Sequence, residues 1–387
     1  MYTYRCLNNI STVGLEHFSD AYRQVPENES SDAVLVRSAN MKDMSFDPSL
    51  AAIARAGAGV NNIPVEECAK KGIVVFNTPG ANANGVKELV IAGMLLASRD
   101  IVGGISWLKS QEPSDTLPKL VEKQKKQFAG TEIAGKKLGI IGLGAIGVMV
   151  ANAAESLGMK VYGYDPYLSL KAAWNLTSSI TYVKDVADIY RDCDFITIHV
   201  PLNGSTKGMI NEAAFAEMKD GVVLLNFARD TLVEEAALTA ALESGKVKKY
   251  VTDFETPAVL KAPNTIVTPH LGASTQEAED NCAVMAVSEL RDYLENGNIK
   301  NSVNYPACDQ GVCTAEGRIG INHLNRPNML AQFMSELGGA GVNVANIQNA
   351  SRGEYAYTLI DTDSKVTKDI TDRIAAKEGV LRVRVIR

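Results

Sequence analysis

The first third of the chain alternates short apolar runs with helix-like stretches. Residues 2–7, 34–37 and 73–77 read as strands. Gly- and Asn-rich turns at 57–62 and 80–85 follow or separate them, and residues 85–98 read as one long apolar helix. The polar, Lys-rich stretch 109–127 is either a solvated crossover or an arm that packs on a second subunit. From Lys137 the pattern becomes regular. Residues 138–143, 160–164, 195–200, 222–227, 250–254 and 265–268 are strand candidates, most of them separated by helical stretches. Such alternation implies βαβ units and a parallel sheet. The runs are nearly continuous in Val, Ile and Leu, as strands covered on both faces require. A long helix over about 275–295 closes at Asn296-Gly297. Residues 298–317 have little periodicity and read as a linker. The last 70 residues then spell βαββαβ: strand 318–323, helix 329–337, strands 344–350 and 355–361, helix 367–377 and strand 380–386. That order is ferredoxin-like.

Composition narrows the function. The 387 residues are 46% hydrophobic and 22% charged, an ordinary globular balance. A net charge of −6 argues against general nucleic-acid or anionic-membrane binding. An anionic substrate would therefore be attracted by a few local Arg and Lys residues. No apolar run approaches the roughly 20 residues of a membrane helix, and the N-terminus has no basic-then-apolar leader. The six Cys are scattered without a CxxC pair, and the closest two, Cys308 and Cys313, have no His cluster beside them. They read as reduced thiols of a cytoplasmic protein, with no metal site expected.

Gly142-Leu143-Gly144-Ala145-Ile146-Gly147 ends a predicted strand and opens a helix, the context in which GxGxxG binds a dinucleotide. Gly142 allows the tight turn, Gly144 the approach of a pyrophosphate, and Gly147 close helix–strand packing. The helix N-terminus presents free N–H groups to the phosphates. Asp165 ends the next strand, eighteen residues past Gly147. A carboxylate there accepts from ribose hydroxyls and repels a 2′-phosphate, so NAD is preferred over NADP. Of four His, His17 lies in a polar region and reads as surface, and His199, before Pro201, either sits near the adenine or caps its strand. His270 follows the last strand of the set, at the edge where doubly wound folds bind ligands. Its pKa range suits the removal of a hydroxyl proton. Asp253 and Glu255 follow the preceding strand and are its candidate carboxylate partners. Arg229, just after strand 222–227, is either a bidentate carboxylate ligand or one half of a surface salt bridge.

These ordered motifs, with Asn226-Phe227-Ala228-Arg229, Asp253-Phe254-Glu255 and Pro269-His270-Leu271-Gly272, resemble the D-isomer-specific 2-hydroxyacid dehydrogenases over nearly all of residues 1–300. The resemblance implies an Arg–Glu–His triad, with Arg229 on the substrate, His270 as acid/base and Glu255 tuning the His. It also implies that Ala145, Ile146, His199, Pro201 and Asp253 join Gly142, Gly144, Gly147 and Asp165 in holding the cofactor. Two departures stand out. The loop reads Glu255-Thr256-Pro257 where relatives place the Glu a few residues later in a longer loop, and Asp230 follows Arg229 where many carry Gly. The implied fold is α/β: a Rossmann doubly wound NAD domain over 99–274 and a flavodoxin-like substrate domain over 1–98, completed by 275–305, with substrate in the cleft between them. A linker over 306–317 and a ferredoxin-like ACT domain over 318–387 complete it.

The segments Val36-Arg37-Ser38, Gly57-Ala58-Gly59 and Asn77-Thr78-Pro79-Gly80-Ala81-Asn82 resemble the phosphoglycerate-oxidising branch of this family. Carried over, Arg37, Ser38, Gly59 and Asn82 are substrate residues. The implied activity is NAD-dependent oxidation of D-3-phosphoglycerate to 3-phosphohydroxypyruvate, the first step of serine synthesis. The tail resembles an ACT module, in which His323, Asn325 and Asn343 would bind L-serine across an interface between two ACT copies, so a homodimer or homotetramer is expected. Two other readings stay open: a dehydrogenase of another 2-hydroxy acid such as glycerate or hydroxypyruvate, and a non-enzymatic NAD-sensing protein like the family's corepressors.

Overall fold

A computed structural model describes residues 1–387. The chain forms two compact units: Met1–Asn82 together with Gln276–Arg387, and Ala83–Thr275.

The first unit begins with a five-stranded parallel sheet: β1 (Tyr2–Cys6), β2 (Tyr22–Gln24), β3 (Ala33–Val36), β4 (Ala52–Arg55) and β5 (Val74–Asn77). Its order β2-β1-β3-β4-β5 is the flavodoxin-like one. β3 is buried along its whole length, as a central strand covered on both faces must be.

The second unit carries β6 (Lys137–Ile141), β7 (Lys160–Tyr164), β8 (Thr181–Tyr182), β9 (Phe195–Ile198), β10 (Val222–Asn226), β11 (Val247–Thr252) and β12 (Thr265–Val267). All pair in parallel, in the order β12-β11-β10-β9-β6-β7-β8. This is the doubly wound Rossmann arrangement, with its switch point between β6 and β9. The helix Ala83–Ser98 belongs here, which corrects the expected boundary at residue 98. Its Val86, Val90, Met94 and Ala97 are buried in one core with Leu138, Ile140, Leu225 and Val251. Gly93 makes the approach possible, since a Cβ there would stand 3.0 Å from Val251 Cγ1. The helix Ile101–Lys109 follows, then Leu117–Gln124 within the Lys-rich stretch. No single helix is long and apolar enough to cross a membrane.

The tail forms β13 (Gly317–Leu324), β14 (Val344–Arg352), β15 (Tyr355–Thr362) and β16 (Val380–Val385), with helices Met329–Gly339 and Lys368–Ala375. The antiparallel order β14-β15-β13-β16 is ferredoxin-like. All eight residues of β15 are buried, although strand side chains alternate between faces. The reason is that both faces are covered. Ile360 joins Ile319, Ile321 and Phe333 in a core beneath the tail's own helices. Tyr355, Tyr357 and Leu359 join Tyr293, Leu290 and Phe76 on the other face. The long helix Gln276–Asn296 is therefore shared. Its last carbonyls accept from the tail: Arg384 donates to Tyr293 O and Leu294 O, Arg318 to Asn296 O, and the Tyr357 hydroxyl to Gly297 O at 2.9 Å. Arg318 is itself 1% exposed and forks onto Asp361. Of the expected linker 306–317, residues 306–316 are irregular, but they are not a free linker. Cys308 pairs with Ile299 in both directions, and the Gln310 side chain donates to Leu359 O at 2.9 Å.

Candidate functional site

The turn after β6 is built for a phosphate-bearing ligand. Gly142 has φ +97°, and a Cβ there would lie 2.6 Å from His199 O, so both conformation and space demand glycine. A Cβ on Gly147 would fall 1.9 Å from Gly142 O, whereas one on Gly144 would meet nothing within 4 Å. The open face at Gly144 leads to the N-terminus of the helix Ala145–Ser156, which has no side-chain cap. Its N–H groups are free for a pyrophosphate. Ala145 is exposed and Ile146 half-buried. Asp165 is pinned beside this turn, accepting from the Leu143 N–H at 2.9 Å and the Tyr167 N–H at 2.8 Å. His199 N–H donates to Ile141 O, which sets its strand against the same turn. Its Nε2 lies 3.0 Å from Thr197 Oγ1, while Nδ1 is buried without a partner. Burial pushes the ring down to about 3, so it is neutral at physiological pH. Pro201 is exposed two residues on.

The ends of β10 and β11 and the segment after β12 carry the second group. Asn226 is fully buried and organises the turn after β10, donating to Arg229 O at 2.8 Å and accepting from the Ala228 N–H. Arg229 is exposed, and its one side-chain bond goes to Ala228 O. No carboxylate pairs with it, so the salt-bridge alternative finds no partner here. Asp253 is 2% exposed. Its Oδ2 accepts from the Gly272 N–H at 3.0 Å, its backbone carbonyl accepts from the His270 N–H at 3.1 Å, and its Oδ1 is buried with no partner. Burial raises its pKa, against the pull of the Gly272 N–H and of His270. His270 has φ +47°, a left-handed conformation uncommon for a side chain with a Cβ. That backbone turns the ring edge-on to Phe254, with centroids 5.2 Å apart. Glu255 is exposed on the same loop. The structure thus ties Asp253 and His270 together and leaves Glu255 at the rim, without a bond to the His.

In the first unit, one residue organises the loop after β3. Asn8 Oδ1 accepts from the N–H groups of Arg37, Ser38 and Ala39 at 2.9–3.0 Å. The Arg37 side chain reaches Glu279 at 2.6 Å. Arg55 donates to Arg37 O and to Gly59 O, so it bridges the loop after β3 and the loop after β4. Asn82 is half-buried immediately before the helix Ala83–Ser98. Asn8, Arg55 and Asn226 were absent from the sequence-based candidates. Asn8 and Arg55 act by binding backbone atoms of distant loops, which no motif marks, and Asn226 by binding the backbone of its own turn.

The three tail candidates separate. His323 is 2% exposed, with Nε2 2.8 Å from Thr358 Oγ1 and Nδ1 2.9 Å from Leu324 O. Burial lowers its pKa. Asn325 follows at the same end of the sheet, donating to Gly353 O. Asn343 precedes β14 and donates to Asp363 at 3.0 Å. Since Val344 and Gly317 both pair with Thr362, while Leu324 pairs with Tyr355, Asn343 stands at the opposite end of the sheet.

Residues 91–272 match the family model "D-isomer specific 2-hydroxyacid dehydrogenase, NAD binding domain". The chain is 38% identical over 267 residues to a D-3-phosphoglycerate dehydrogenase of Methanocaldococcus jannaschii, covering 67% of this chain and 49% of that one. A D-3-phosphoglycerate dehydrogenase of Haemophilus influenzae is 30% identical over 357 residues, covering 88% and 82%. The chain thus spans about half the length of the first of these relatives and most of the second. Among solved structures, NAD+-bound 3-phosphoglycerate dehydrogenase of Entamoeba histolytica aligns with TM-score 0.60 at 26% identity, over 78% of this chain and 98% of that one. A glyoxylate reductase of Paecilomyes thermophila aligns with TM-score 0.62 at 25% identity, with the same coverage. The glycine turn, with its open approach to a helix N-terminus, fits the NAD of that family model, and the chain belongs to the D-isomer specific 2-hydroxyacid dehydrogenases.

Proposed function

We propose that the protein oxidises D-3-phosphoglycerate to 3-phosphohydroxypyruvate with NAD. The observation that carries this reading is the coupling of His270 to buried Asp253 at the strand ends that also present an unpaired Arg229. The phosphoglycerate relatives supply the substrate.

In this mechanism Arg229 holds the substrate carboxylate in bidentate fashion and fixes C2. Arg37 and the Ser38 hydroxyl, with the N–H groups around Gly59 and Asn82, bind the remaining anionic charge. His270 takes the C2 hydroxyl proton as the C2–H bond breaks, with its electron pair leaving as hydride. NAD, when bound, would supply the acceptor for that hydride. Asp253 fixes the His270 backbone, and its orphaned Oδ1 is an acceptor for the nicotinamide carboxamide. Glu255 keeps its assigned role of tuning His270, which requires its exposed carboxylate to swing inward. Gly142, Gly144, Ala145, Ile146 and Gly147 hold the pyrophosphate, Asp165 the ribose, and His199 with Pro201 the adenine side.

L-serine is the proposed effector at His323, Asn325 and Asn343. Their separation within one chain means that a serine site needs two tails. A homodimer or homotetramer belongs to the same reading. Its support is the helix Ile101–Lys109, which exposes Val102 (57%), Ile105 (50%) and Leu108 (47%) along one stretch. A cytoplasmic setting fits six free thiols.

The test follows NADH absorbance during reduction of 3-phosphohydroxypyruvate by wild type, Arg229→Ala and His270→Ala, with and without L-serine. Turnover is expected to fall by at least about a hundredfold in both variants, and serine to slow the wild type. Good rates with glyoxylate or hydroxypyruvate, and none with the phosphorylated substrate, would replace the substrate while keeping the chemistry.

A further inference from the structure

The tail meets the first sheet across a concentration of positive charge that the catalytic reading does not use. Arg382 and Arg384 alternate on β16, so both project from the sheet face that is covered by the unit's other elements. The Arg384 guanidinium stacks 4.3 Å from the centroid of the Tyr293 ring, and it donates to two carbonyls at the end of the long helix. Arg382 Nη2 donates to Pro48 O at 3.1 Å and Lys71 O at 3.4 Å. Its Nε and Nη1 have no acceptor in the protein, and neither guanidinium reaches a carboxylate. Burial, and then the charge of Arg384, push the Arg382 pKa down. Gly72 fixes this approach. Its φ is +68°, and a Cβ there would stand 2.6 Å from Arg382 Cβ.

The two arginines line a cavity of about 520 Å³ with Lys71, Asp47, Phe46 and Ile73. Asp47 is the one carboxylate in the lining, and it is engaged elsewhere. It accepts from Ser49 N–H at 2.8 Å, Ser49 Oγ at 2.7 Å and Ser30 Oγ at 2.8 Å, which hold it down at about 2. Lys71 pairs with Glu67 at 2.7 Å on its outer side. The cavity therefore gathers three cations, and of these Arg382 keeps donors, Nε and Nη1, that find no acceptor in the protein.

We propose that this cavity binds a small dianionic ligand, a phosphate or a phosphate monoester. Arg382 Nε and Nη1 each offer an N–H to a phosphate oxygen, Arg384 and Lys71 supply further charge, and Phe46 and Ile73 take a short organic part. Arg382 and Arg384 belong to the tail, and Lys71 to the first sheet's connections. The bound anion therefore ties the tail to the flavodoxin-like layer, and it acts as an effector separate from L-serine. The proposal does not rest on the identity of the substrate.

Calorimetric titration of the full chain with inorganic phosphate, at ionic strength held constant with sodium chloride, tests this. Three variants accompany wild type: Arg382→Gln, Lys71→Gln and, as a control for phosphate held by the substrate loop, Arg37→Gln. Arg382→Gln is expected to weaken binding by about tenfold or more and Lys71→Gln by several-fold, with Arg37→Gln retaining the site. If Arg382→Gln does not fold, the largely exposed Lys71→Gln carries the comparison. Heat of binding lost only in Arg37→Gln, or no heat beyond that of chloride, overturns the proposal.

Discussion

Glu289, on the long helix, is 7% exposed and has one partner, the Asn301 amide at 2.6 Å; its other oxygen is buried without any. Burial pushes its carboxyl up to about 8 from its ordinary 4.5. The folded chain therefore holds a proton that the unfolded chain releases, and folding stability from this group declines as pH rises from about 4.5 through about 8. Glu289→Gln removes that decline. Relative to the variant, wild type should lose roughly 4 kcal/mol between pH 5 and pH 9, read by urea unfolding at each pH. A gap independent of pH would refute this. Burial also separates residues that looked equivalent in the sequence. Asp253 and Glu255 are two positions apart and both were acceptable partners for His270, but only Asp253 lies under the loop that carries the His. The glycine turn and Asp165 were legible because the backbone itself demands those residue types. Asn8 was not legible, because the three N–H groups it collects lie 29 to 31 positions away.

At the scale of elements, the strands followed from continuous apolar runs and alternating periods, and their arrangement from the family resemblance. Every strand of the two parallel sheets that the pattern named is present to within a few residues. The misplaced boundary at residue 98 has a simple cause: an apolar helix does not say which sheet it covers, and Ala83–Ser98 covers β10 and β11. The stretch 306–317 misled for a related reason, because hydrogen bonds from Gln310 and Cys308 leave no periodic trace. The long helix carries a sharper prediction. A chain ending at residue 312 would leave the carbonyls of Tyr293, Leu294, Asn296 and Gly297 without their tail donors, and would strip Tyr355, Tyr357 and Leu359 from the core. Its thermal midpoint should fall by at least about 10 °C, or the fragment should be insoluble. A midpoint equal to that of the full chain would show that the tail contributes nothing to the unit it covers.

At the scale of the whole molecule, a net charge of −6 coexists with local concentrations of cations. The proposed anion chemistry would rest on a handful of arginines rather than on the overall field. The proposed assembly would use the apolar stretch on the helix Ile101–Lys109. Ile105→Asp places a charge in its middle, so light scattering should report a shift towards monomer at micromolar concentration, with the far-UV spectrum unchanged. An unaltered mass would locate the interface elsewhere. The docking of the tail has a consequence for how such chains diversify. A regulatory module joined by a loose tether can be lost, duplicated or exchanged between enzymes without touching the host. Here Arg318, Tyr357 and Arg384 finish a helix of the host, and Gly72 of the host is shaped to admit Arg382 of the module. A foreign tail spliced in at residue 317 would have to bring those side chains in register, so host and tail are bound to change together.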